Sequence, residues 1–370
     1  MPARLESTPR ADGFRMPAEF EPHEQTWIHW PQLTAMYRLG CVPARREVVE
    51  VAKAIAEFEP VTVIVNHDQF VNARASLPAY IRVIEVSFTE TGWLRDIGPI
   101  FVKNDRGEVR ATHWDFTGYG QMDPKYFAWD KDNLIPQKIA EVERCDSYKV
   151  PMVFEGGAFH VDGEGTLLTL EGNLLRGHRN PDLTKEQMEE YIKEYLGVEK
   201  IIWLPAATDP DNYPYPQMVS HIDCDLHYVR PGVVVVSWTD DETDWRYEAV
   251  HQNYECLANA VDARGRKLEI HKMPLVECIA PTAEEARDID ASGAPGFFDD
   301  RTDFLHRNYL NHYLCNGGVV MPVFGDPHDD EAYSLLSRLH PDRKVVAVRT
   351  HETWLYGGGP HCLTQQQPRP

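Results

Sequence analysis

The sequence predicts an α/β fold in which strand pairs alternate with single helices about five times along the chain. Short runs of Val and Ile, such as Val61–Val65 and Val233–Trp238, are typical of strands that are buried on both faces. Segments with apolar residues along one helical face, such as Arg45–Phe58, lie between the strands and predict amphipathic helices. The recurrence of this pattern indicates an internal structural repeat.

The N-terminal half provides the first repeats. The helix over Arg45–Phe58 precedes the strand Val61–Val65, and further strands are predicted over Ile81–Val86 and about Ile100–Val102. The polar, glycine-containing segment Asn104–Glu108 forms the turn before the next strand, VRATHW.

The same order recurs in the second half. GAFHVDGEGTLLTL predicts a hairpin with Asp162–Gly165 as its turn, and Thr184 and Gln187 form a capping box at the start of a helix over Lys185–Tyr195. The remaining predicted elements are, in order, the strands KIIWLP and VVVVSW, a helix over Tyr247–Val261, the strands KLEIHKM and CNGGVVMPVF, the helix DEAYSLLSRLH and the strand KVVAVRT.

The domain organisation is simple. Residues 1–15 contain no apolar segment of the kind that a secretory signal needs, and we expect them to form a disordered leader. No low-complexity linker divides the rest, and the proline-rich stretch Thr208–Gln217 is interpreted as a loop. We therefore expect a single domain over residues 16–370.

Composition limits the classes of function. The net charge is −21, with 58 acidic and 37 basic residues, which argues against a nucleic-acid partner. An acidic surface is typical of soluble proteins, and it can also attract small cations into an acidic cleft. No run approaches the roughly 20 apolar residues of a membrane helix. We expect a cytoplasmic protein without a membrane partner, and a homodimer or higher homo-oligomer as the default assembly.

The seven cysteines are odd in number and scattered, without a C-x-x-C pair. We expect reduced thiols, most of them small buried residues, and the question is whether one is reactive. Cys362 follows three glycines, which permit close contact between backbone and ligand. The alternative is a glycine-rich turn with a buried thiol. In an extended segment, His361 and Cys362 point to opposite faces, so His361 is a poor base for this thiol.

Two further stretches place a carboxylate in a turn or loop. WLRDIGP offers Asp96 as a hydrogen-bond acceptor for a planar cation and Trp93 as an aromatic face, with an Arg95–Asp96 ion pair as the alternative. FEGGAFHVD places Glu155 before two glycines, where a solvated side chain is the alternative.

SHIDCD contains an imidazole and a carboxylate with a spacing of two. In an extended segment His221 and Asp223 share one face, which suits a common ligand. One alternative is that the two residues are metal ligands, but no third ligand of suitable type lies nearby. The other alternative is that they lie at an exposed strand end. Together with Cys362, the set suits a guanidinium, which is planar and binds carboxylates in a bidentate manner. Attack on its resonance-stabilised carbon needs a strong nucleophile such as a thiolate.

The chain resembles the agmatine deiminases of the guanidino-group-modifying (pentein) superfamily. The resemblance spans MPAEFEPHEQTW to TQQQP and is carried by WLRDIGP, EGGAFHVDGEGTLLT, HID, RPGVVVVSW, NGGVVMPVFGD and GGGPHCLTQQQP. It implies a five-bladed, pseudo-symmetric α/β propeller of ββαβ units around a substrate channel. It also implies hydrolysis of agmatine to N-carbamoylputrescine and ammonia, with no metal and no organic cofactor.

The same resemblance implies the roles of the site residues. Cys362 matches the nucleophile that forms a covalent amidino-cysteine, and His221 matches the general acid/base. Glu155 matches the carboxylate that supports this histidine and holds a guanidinium nitrogen. Asp96 and Asp223 match the clamp on the other nitrogens. Trp93 is a candidate wall of the pocket.

Two segments depart from the family pattern. The residue four before the histidine is usually acidic and lies toward the distal amine of agmatine, but here it is Gln217, which binds an ammonium less well. Ser220 and Cys224 also replace a glycine and an asparagine, and GGGPHC is one residue shorter than the usual GGGNIHC, which bears on Gly359 as a substrate-binding residue.

These departures keep other functions open. The substrate could be another alkylguanidine, such as arginine, a methylated guanidine or peptidyl arginine, or the amidino group could pass to an amine. A non-catalytic ribosome-binding propeller ranks well below the enzyme, because it needs none of the five site residues.

Overall fold

The computed structural model describes residues 2–90, 92–120, 128–175, 179–208, 221–287 and 305–370. The strands within these ranges are β1 (Arg4–Leu5), β2 (His23–His29), β3 (Val61–Val65), β4 (Arg82–Glu85), β5 (Ile100–Lys103), β6 (Val109–Asp115), β7 (Ser147–Val153), β8 (Phe159–Val161), β9 (Thr166–Leu170), β10 (Lys200–Leu204), β11 (Leu226–Arg230), β12 (Val233–Trp238), β13 (Glu269–Pro274), β14 (Tyr313–Cys315), β15 (Gly318–Val323), β16 (Lys344–Arg349) and β17 (Thr364–Pro368). The helices there are α1 (Val42–Ala56), α2 (Phe70–Ser76), α3 (Leu94–Ile97), α4 (Ile135–Glu143), α5 (Glu171–Leu174), α6 (Lys185–Leu196), α7 (Tyr247–Asn259), α8 (Ala283–Arg287), α9 (Asp329–Leu339) and α10 (Pro360–Leu363).

The strands of the described residues form five separate sheets on one plan. An antiparallel strand pair is followed by a helix and by a third strand that runs parallel to the second. This holds for β5–β6–β7, β8–β9–β10, β11–β12–β13 and β14–β15–β16. The fifth sheet has the order β17–β2–β3–β4, in which β17 is antiparallel to β2 and β3 is parallel to it. The predicted class, a five-bladed α/β propeller of ββαβ units, is confirmed.

The last strand completes the fifth sheet. Thr364 pairs with Ile28, and Gln366 pairs with Thr26, so the C-terminal strand provides the missing first strand of that unit. All five residues of β17 are buried. A cysteine only two residues before this strand is therefore held in the interior, although it lies close to the end of the sequence.

Most predicted elements lie within a few residues of their predicted bounds. α1 begins at Val42, three residues earlier than predicted, because Pro43 fits the first turn of a helix. The capping box of α6 is confirmed, since Thr184 accepts from the Gln187 N–H and the Gln187 side chain accepts from the Thr184 N–H. The short helices α2 and α4 and the strand β7 were not predicted, because they are too short or too polar for a clear period.

The N-terminal segment differs from the expectation of a disordered leader. β1 adds a parallel strand to β7, and Phe14 is buried with 2% of its surface exposed. The Asp12 carboxylate accepts hydrogen bonds of 2.7 Å from both Arg110 and Tyr148. These bonds keep the segment ordered, although its polar composition alone predicts disorder.

No helix within the described ranges combines the length and the apolar character that crossing a membrane requires. The buried apolar residues instead pack between the sheets and their helices. The largest such cluster contains α1, β3 and the loop that carries Trp93 and Leu94. Cys362 belongs to the same cluster, so the predicted nucleophile borders the core.

Candidate active site

The thiol predicted as the nucleophile lies in a one-turn helix at the end of the glycine run. Cys362 is the third residue of α10, and its exposed fraction is 3%. The extended segment expected here is wrong, because Pro360 occupies the first helical turn, where its missing N–H costs nothing. The expectation that His361 and Cys362 point to opposite faces is wrong as well, because His361 Nδ1 and Cys362 Sγ lie 2.8 Å and 3.5 Å from the same oxygen, Asp223 Oδ2.

The glycine run is needed for close packing. A Cβ atom on Gly358 would lie 2.5 Å from an indole carbon of Trp93, and one on Gly359 would lie 2.6 Å from Trp354 and 2.9 Å from Asn311 Oδ1. All three separations are shorter than van der Waals contact. The glycines thus let the backbone approach two tryptophans and place α10 between them.

Asn311 holds the thiol and its helix. Its Oδ1 accepts hydrogen bonds from the N–H groups of Gly359 (3.0 Å) and Cys362 (3.2 Å). Its Nδ2 donates to Cys362 Sγ (3.1 Å) and to Asp223 Oδ2 (3.0 Å). The same Asp223 oxygen lies 3.5 Å from Sγ, so sulfur, amide and carboxylate are in mutual contact.

His361 lies between two buried carboxylates. Its Nδ1 is 2.8 Å from Asp223 Oδ2, and its Nε2 is 2.9 Å and 3.0 Å from the two oxygens of Glu19. Burial and the Arg95 charge oppose its protonation, but the two carboxylates outweigh them and raise the pKa of His361. Burial likewise opposes the charge of Asp223, yet the hydrogen bond and charge of His361 lower the pKa of that carboxyl. Asp223 is therefore held as a carboxylate by an imidazolium.

Asp96 is the second buried acceptor of the site. Its Oδ1 accepts from the Gly157 N–H at 3.0 Å, and its Oδ2 accepts from the Tyr119 hydroxyl at 3.0 Å. Burial raises the pKa of Asp96, and the charge of Asp223 adds to the increase, while His221 partly offsets it. The free site thus disfavours a second negative charge unless a cation is bound.

Gly157 marks the point where the predicted side chains meet. A Cβ atom there would lie 2.7 Å from His221 Nδ1, 3.0 Å from Asp96 Oδ1 and 3.1 Å from Asp223 Oδ2. His221 Nδ1 is 3.8 Å from Asp96 Oδ1. A glycine at this position therefore allows an imidazole and two carboxylates to converge on a backbone N–H.

Two buried polar atoms at this point lack a hydrogen-bond partner among the described residues. They are His221 Nε2 and Asp223 Oδ1. Buried polar atoms in proteins are almost always paired with protein, water or a ligand. An unpaired imidazole nitrogen and an unpaired carboxylate oxygen, on two residues that meet at Gly157, suit a polar, cationic ligand.

The surroundings of the thiol favour its protonated form in the free protein. Burial raises the pKa of Cys362 far above its ordinary value, and the charges of Asp223 and Asp96 raise it further. The hydrogen bond from Asn311 acts in the opposite direction. A cation bound between the carboxylates would remove part of this penalty and favour the thiolate.

Glu155 has a different partner from the one predicted. Both of its oxygens, at 2.7 Å and 2.8 Å, lie near Nε of Arg179, and both side chains are buried. No hydrogen bond joins Glu155 to His221 in the described part of the chain. Glu155 precedes Gly157 by two residues, so its charge still lies near Asp96 and raises the pKa of that carboxyl.

Trp93 is largely covered, with an exposed fraction of 7%. Its indole packs against the Gly358 backbone, 5.8 Å from the His29 ring and 6.4 Å from the Tyr37 ring. The backbone N–H of Trp93 donates to the Tyr119 hydroxyl at 3.0 Å, and this hydroxyl in turn donates to the Asp96 carboxylate. Trp93 therefore supports both the glycine run and the acceptor Asp96. Gln217 lies outside the described residues.

Four buried side chains next to the site have atoms of the kind that bind metal ions. Ligand atoms of Glu19, His160, His227 and His361 all lie within 4.8 Å of one another. However, Arg95 Nη1 lies 3.3 Å from Glu19 Oε1, and His361 already binds carboxylates through both nitrogens. A guanidinium beside the only carboxylate of the cluster disfavours a second cation. We interpret the cluster as a buried charge network that fixes His361.

Sequence reasoning missed several residues of this site. Asn311 lies in NYLNHYLC, Tyr119 in FTGYG and Glu19 in PAEFEP, and none is next to a predicted site residue. No periodicity or motif distinguishes them, because their partners lie between 23 and 342 positions away in sequence. His361 is different, since its position beside the nucleophile could have identified it as a residue that orients the site.

The chain is similar to a known protein family and to several named enzymes over nearly its whole length. Residues 15–368 match the model of a family described as Porphyromonas-type peptidyl-arginine deiminase. Agmatine deiminase from Pseudomonas syringae is 45% identical over 369 residues, and the enzyme of that name from Pseudomonas putida is 44% identical over 369 residues. Each alignment covers 99% of this chain and 98% of the relative. The solved agmatine deiminase of Enterococcus faecalis superimposes with a TM-score of 0.93 and 39% identity over the whole of both chains.

The fold and these matches define the class of protein, an enzyme that hydrolyses C–N bonds of linear amidines. The chain belongs to the agmatine deiminase family, within the wider group of Porphyromonas-type peptidyl-arginine deiminases.

Proposed function

We propose that the protein hydrolyses agmatine to N-carbamoylputrescine and ammonia, with Cys362 as the nucleophile. The observation that supports this most is the convergence of the Cys362 thiol, His221, Asp96 and Asp223 around the Gly157 backbone. This places two carboxylates for a guanidinium, a sulfur for its carbon and an imidazole for its protons within one buried site.

Binding of the guanidinium follows from the charges. Asp223 is an ionised acceptor with an unpaired Oδ1, and Asp96 is a carboxyl that ionises more readily beside a cation. Together they clamp the planar cation through bidentate hydrogen bonds. Glu155 supports His221 and holds a third nitrogen in the bound state, which requires that Arg179 share its carboxylate.

The chemistry proceeds through a covalent intermediate. The Cys362 thiol gives its proton to His221, and its sulfur attacks the guanidinium carbon, so that a C–S bond forms. His221 protonates the departing nitrogen, the C–N bond breaks and ammonia leaves an amidino-cysteine. A water molecule then attacks the same carbon and gives its proton to His221. The C–S bond breaks, which releases the ureido product and returns the thiol.

The remaining candidate substrate-binding residues would contact the part of the substrate beyond the guanidinium. Trp93 and Gly359 form part of the wall beside the thiol, and Gln217 is the candidate for recognising the distal amine. The second candidate substrate is another alkylguanidine, such as arginine, a methylated guanidine or peptidyl arginine. The neutral side chain of Gln217 favours it, because an ammonium would lose a charge-assisted hydrogen bond there.

A panel of guanidines tests the reaction and its substrate. Wild-type protein should release ammonia and a ureido product from agmatine, whereas Cys362→Ala should release neither. Cys256→Ala is the matched control, because this half-buried thiol contacts the Trp203 carbonyl and no site residue, and it should retain activity. Inert wild type on every guanidine, or an active Cys362→Ala variant, would refute the proposal.

The identity of the tail is tested by Gln217→Glu. A carboxylate at this position should raise kcat/KM for agmatine by about tenfold, the effect of one charge-assisted hydrogen bond. The same change should not raise kcat/KM for an alkylguanidine without a distal ammonium. If agmatine turnover does not change, our interpretation of Gln217 is wrong while the reaction type stands.

The wider setting is also a proposal. Residues 16–370 act as one catalytic domain in a homodimer or higher homo-oligomer, the protein is cytoplasmic, and its product leads toward putrescine. Light scattering of the purified protein measures the assembly. Added amines as acceptors would reveal amidino transfer in place of hydrolysis, and co-sedimentation would reveal the low-ranked binding to ribosomes.

A further inference from the structure

Asn311 is the most connected side chain around the nucleophile that the expected catalytic set does not contain. It is fully buried, in the segment that leads into β14. Its backbone carbonyl accepts the His361 N–H at 3.1 Å, and its own N–H donates to Asn308 Oδ1 at 2.8 Å. With the two N–H groups that its Oδ1 accepts, three hydrogen bonds tie α10 and its cap to this one residue.

The hydrogen bonds fix which way the amide points. Oδ1 accepts from two backbone donors, the N–H groups of Gly359 and Cys362, so the carbonyl side must face them. The NH₂ side therefore faces Cys362 Sγ and Asp223 Oδ2, with one hydrogen for each. A rotated amide would place an oxygen against a sulfur and a carboxylate and would remove four hydrogen bonds.

We propose that Asn311 is a further catalytic residue, whose amide donates to the sulfur of Cys362 and so orients the nucleophile and stabilises its thiolate. This inference rests on the proposed function, in which Cys362 is the nucleophile. When the thiol loses its proton and the C–S bond forms, Asn311 keeps both of its hydrogens. It contributes a fixed dipole beside the sulfur, in a buried site where such a dipole is effective.

The donor to Asp223 gives the residue a second effect. One amide group holds both the sulfur that attacks and the carboxylate that clamps the guanidinium, 3.5 Å apart. Because the two acceptors share one planar group, their separation is set by covalent geometry. Asn311 thus aligns Sγ with the carbon of a cation bound to Asp223.

Asn311→Asp tests the proposal, because it keeps an oxygen for the two backbone N–H groups and replaces only the donor. We expect the pH at which Cys362 is half-reactive toward iodoacetamide, followed by peptide mass spectrometry, to rise by at least about one unit. We expect kcat to fall by about 10²-fold or more, with a smaller change in KM. Asn311→Ala, which adds no charge, should change both quantities in the same direction.

Asn308→Asp is the matched control, since it makes the same chemical change three residues away. Its Oδ1 still accepts the Asn311 N–H, and the side chain does not touch the thiol. Its alkylation profile and kcat should stay within about threefold of wild type, as expected of a substitution outside the site. Circular dichroism and thermal unfolding verify that each variant is folded.

The outcomes separate this inference from the proposed function. Alkylation requires no substrate, so a shifted profile in the Asn311 variants supports the contact even if wild type is inert on every guanidine. An unchanged profile in a folded Asn311→Asp or Asn311→Ala variant overturns the inference even if agmatine is hydrolysed. Failure of both variants to fold also overturns it, because Asn311 would then serve the fold and not the thiol.

Discussion

Asp223 accepts a hydrogen bond of 2.8 Å from His361, the residue that directly precedes the nucleophile in sequence. The imidazole therefore serves the carboxylate clamp and not the thiol. Its other nitrogen binds Glu19, which Arg95 also contacts. The charge of Asp223 thus depends on a chain of alternating positive and negative groups, all of which are buried.

His361→Gln should break this chain. Two buried carboxylates then lose their cation, and we expect the free energy of unfolding to fall by about 3–5 kcal/mol, as for other broken buried pairs. Activity should fall as well, because Asp223 no longer stays ionised. Thermal unfolding and kcat/KM measure the two effects. The control is His271→Gln, an exposed pair with Glu269, which should cost less than about 1 kcal/mol. Equal losses in the two variants would contradict the charge chain.

The pH dependence of stability has a defined sign. The raised pKa of His361 gives a contribution that is complete below its ordinary pKa of 6.5 and is lost as the pH rises through the folded value. The lowered pKa values of Asp223 and Glu19 give contributions that are present above 3.8 and 4.5 and are lost as the pH falls through the folded values. Stability from this network should therefore be greatest in the weakly acidic range, and His361→Gln should flatten the profile there. A wild-type unfolding temperature independent of pH would exclude this account.

How much of this site the sequence predicts depends on the kind of residue. Cys362, His221, Asp96 and Asp223 lie in short motifs whose chemistry is evident, and the structure brings all four together. Asn311 is one of many asparagines and gains meaning only through contacts across 48 and 51 positions. Such long-range pairs are set by how the five sheets pack, which no local pattern contains.

The fold follows the same distinction. Periodic helices such as α6 and apolar strands such as β12 carry their own signal, and their bounds are close to those predicted. β1 carries none, because it has two residues and forms only where β7 offers an edge. The predicted disordered leader was wrong for this reason: Asp12 and Phe14 are held by partners in the sheet of β5, β6 and β7.

Cys362 should distinguish cationic from neutral reagents. Burial, Asp223 and Asp96 raise the pKa of its thiol, so neutral iodoacetamide should react slowly at pH 7 and faster as the pH rises. A haloacetamidine carries its own cation to the two carboxylates and should label Cys362 at least about tenfold faster at pH 7. The other six thiols serve as internal controls, among them Cys41, whose pKa burial raises to about 12. Equal labelling by both reagents, or indiscriminate labelling by the cation, would contradict a preorganised site.

Asp96→Asn should separate binding from stability. The substitution removes one carboxylate from the guanidinium, and we expect kcat/KM to fall by about 10²- to 10³-fold. Burial raises the pKa of Asp96, so its charge costs stability as the pH rises above the ordinary value of 3.8. The unfolding temperature of the variant at pH 7 should thus not lie below that of wild type. Exposed Asp240→Asn should leave both quantities unchanged. A lower unfolding temperature in Asp96→Asn would mean that this carboxylate serves the fold.

Gly358→Ala tests the contact between the glycine run and Trp93. The new methyl group would lie 2.5 Å from the indole, and overpacking of this kind costs about 1–3 kcal/mol. We also expect lower activity, because α10 must move and carries Cys362 with it. Trp93→Phe removes part of the ring, so the double variant Gly358→Ala/Trp93→Phe should be more stable than the sum of the single changes predicts.

Gly357→Ala is the control for backbone strain. A Cβ atom at this position meets no atom within 4 Å, but the φ of +82° disfavours a side chain. Trp93→Phe should therefore not restore the stability that Gly357→Ala loses. Equal rescue of both alanine variants would show that backbone strain, and not the indole, requires glycine at position 358.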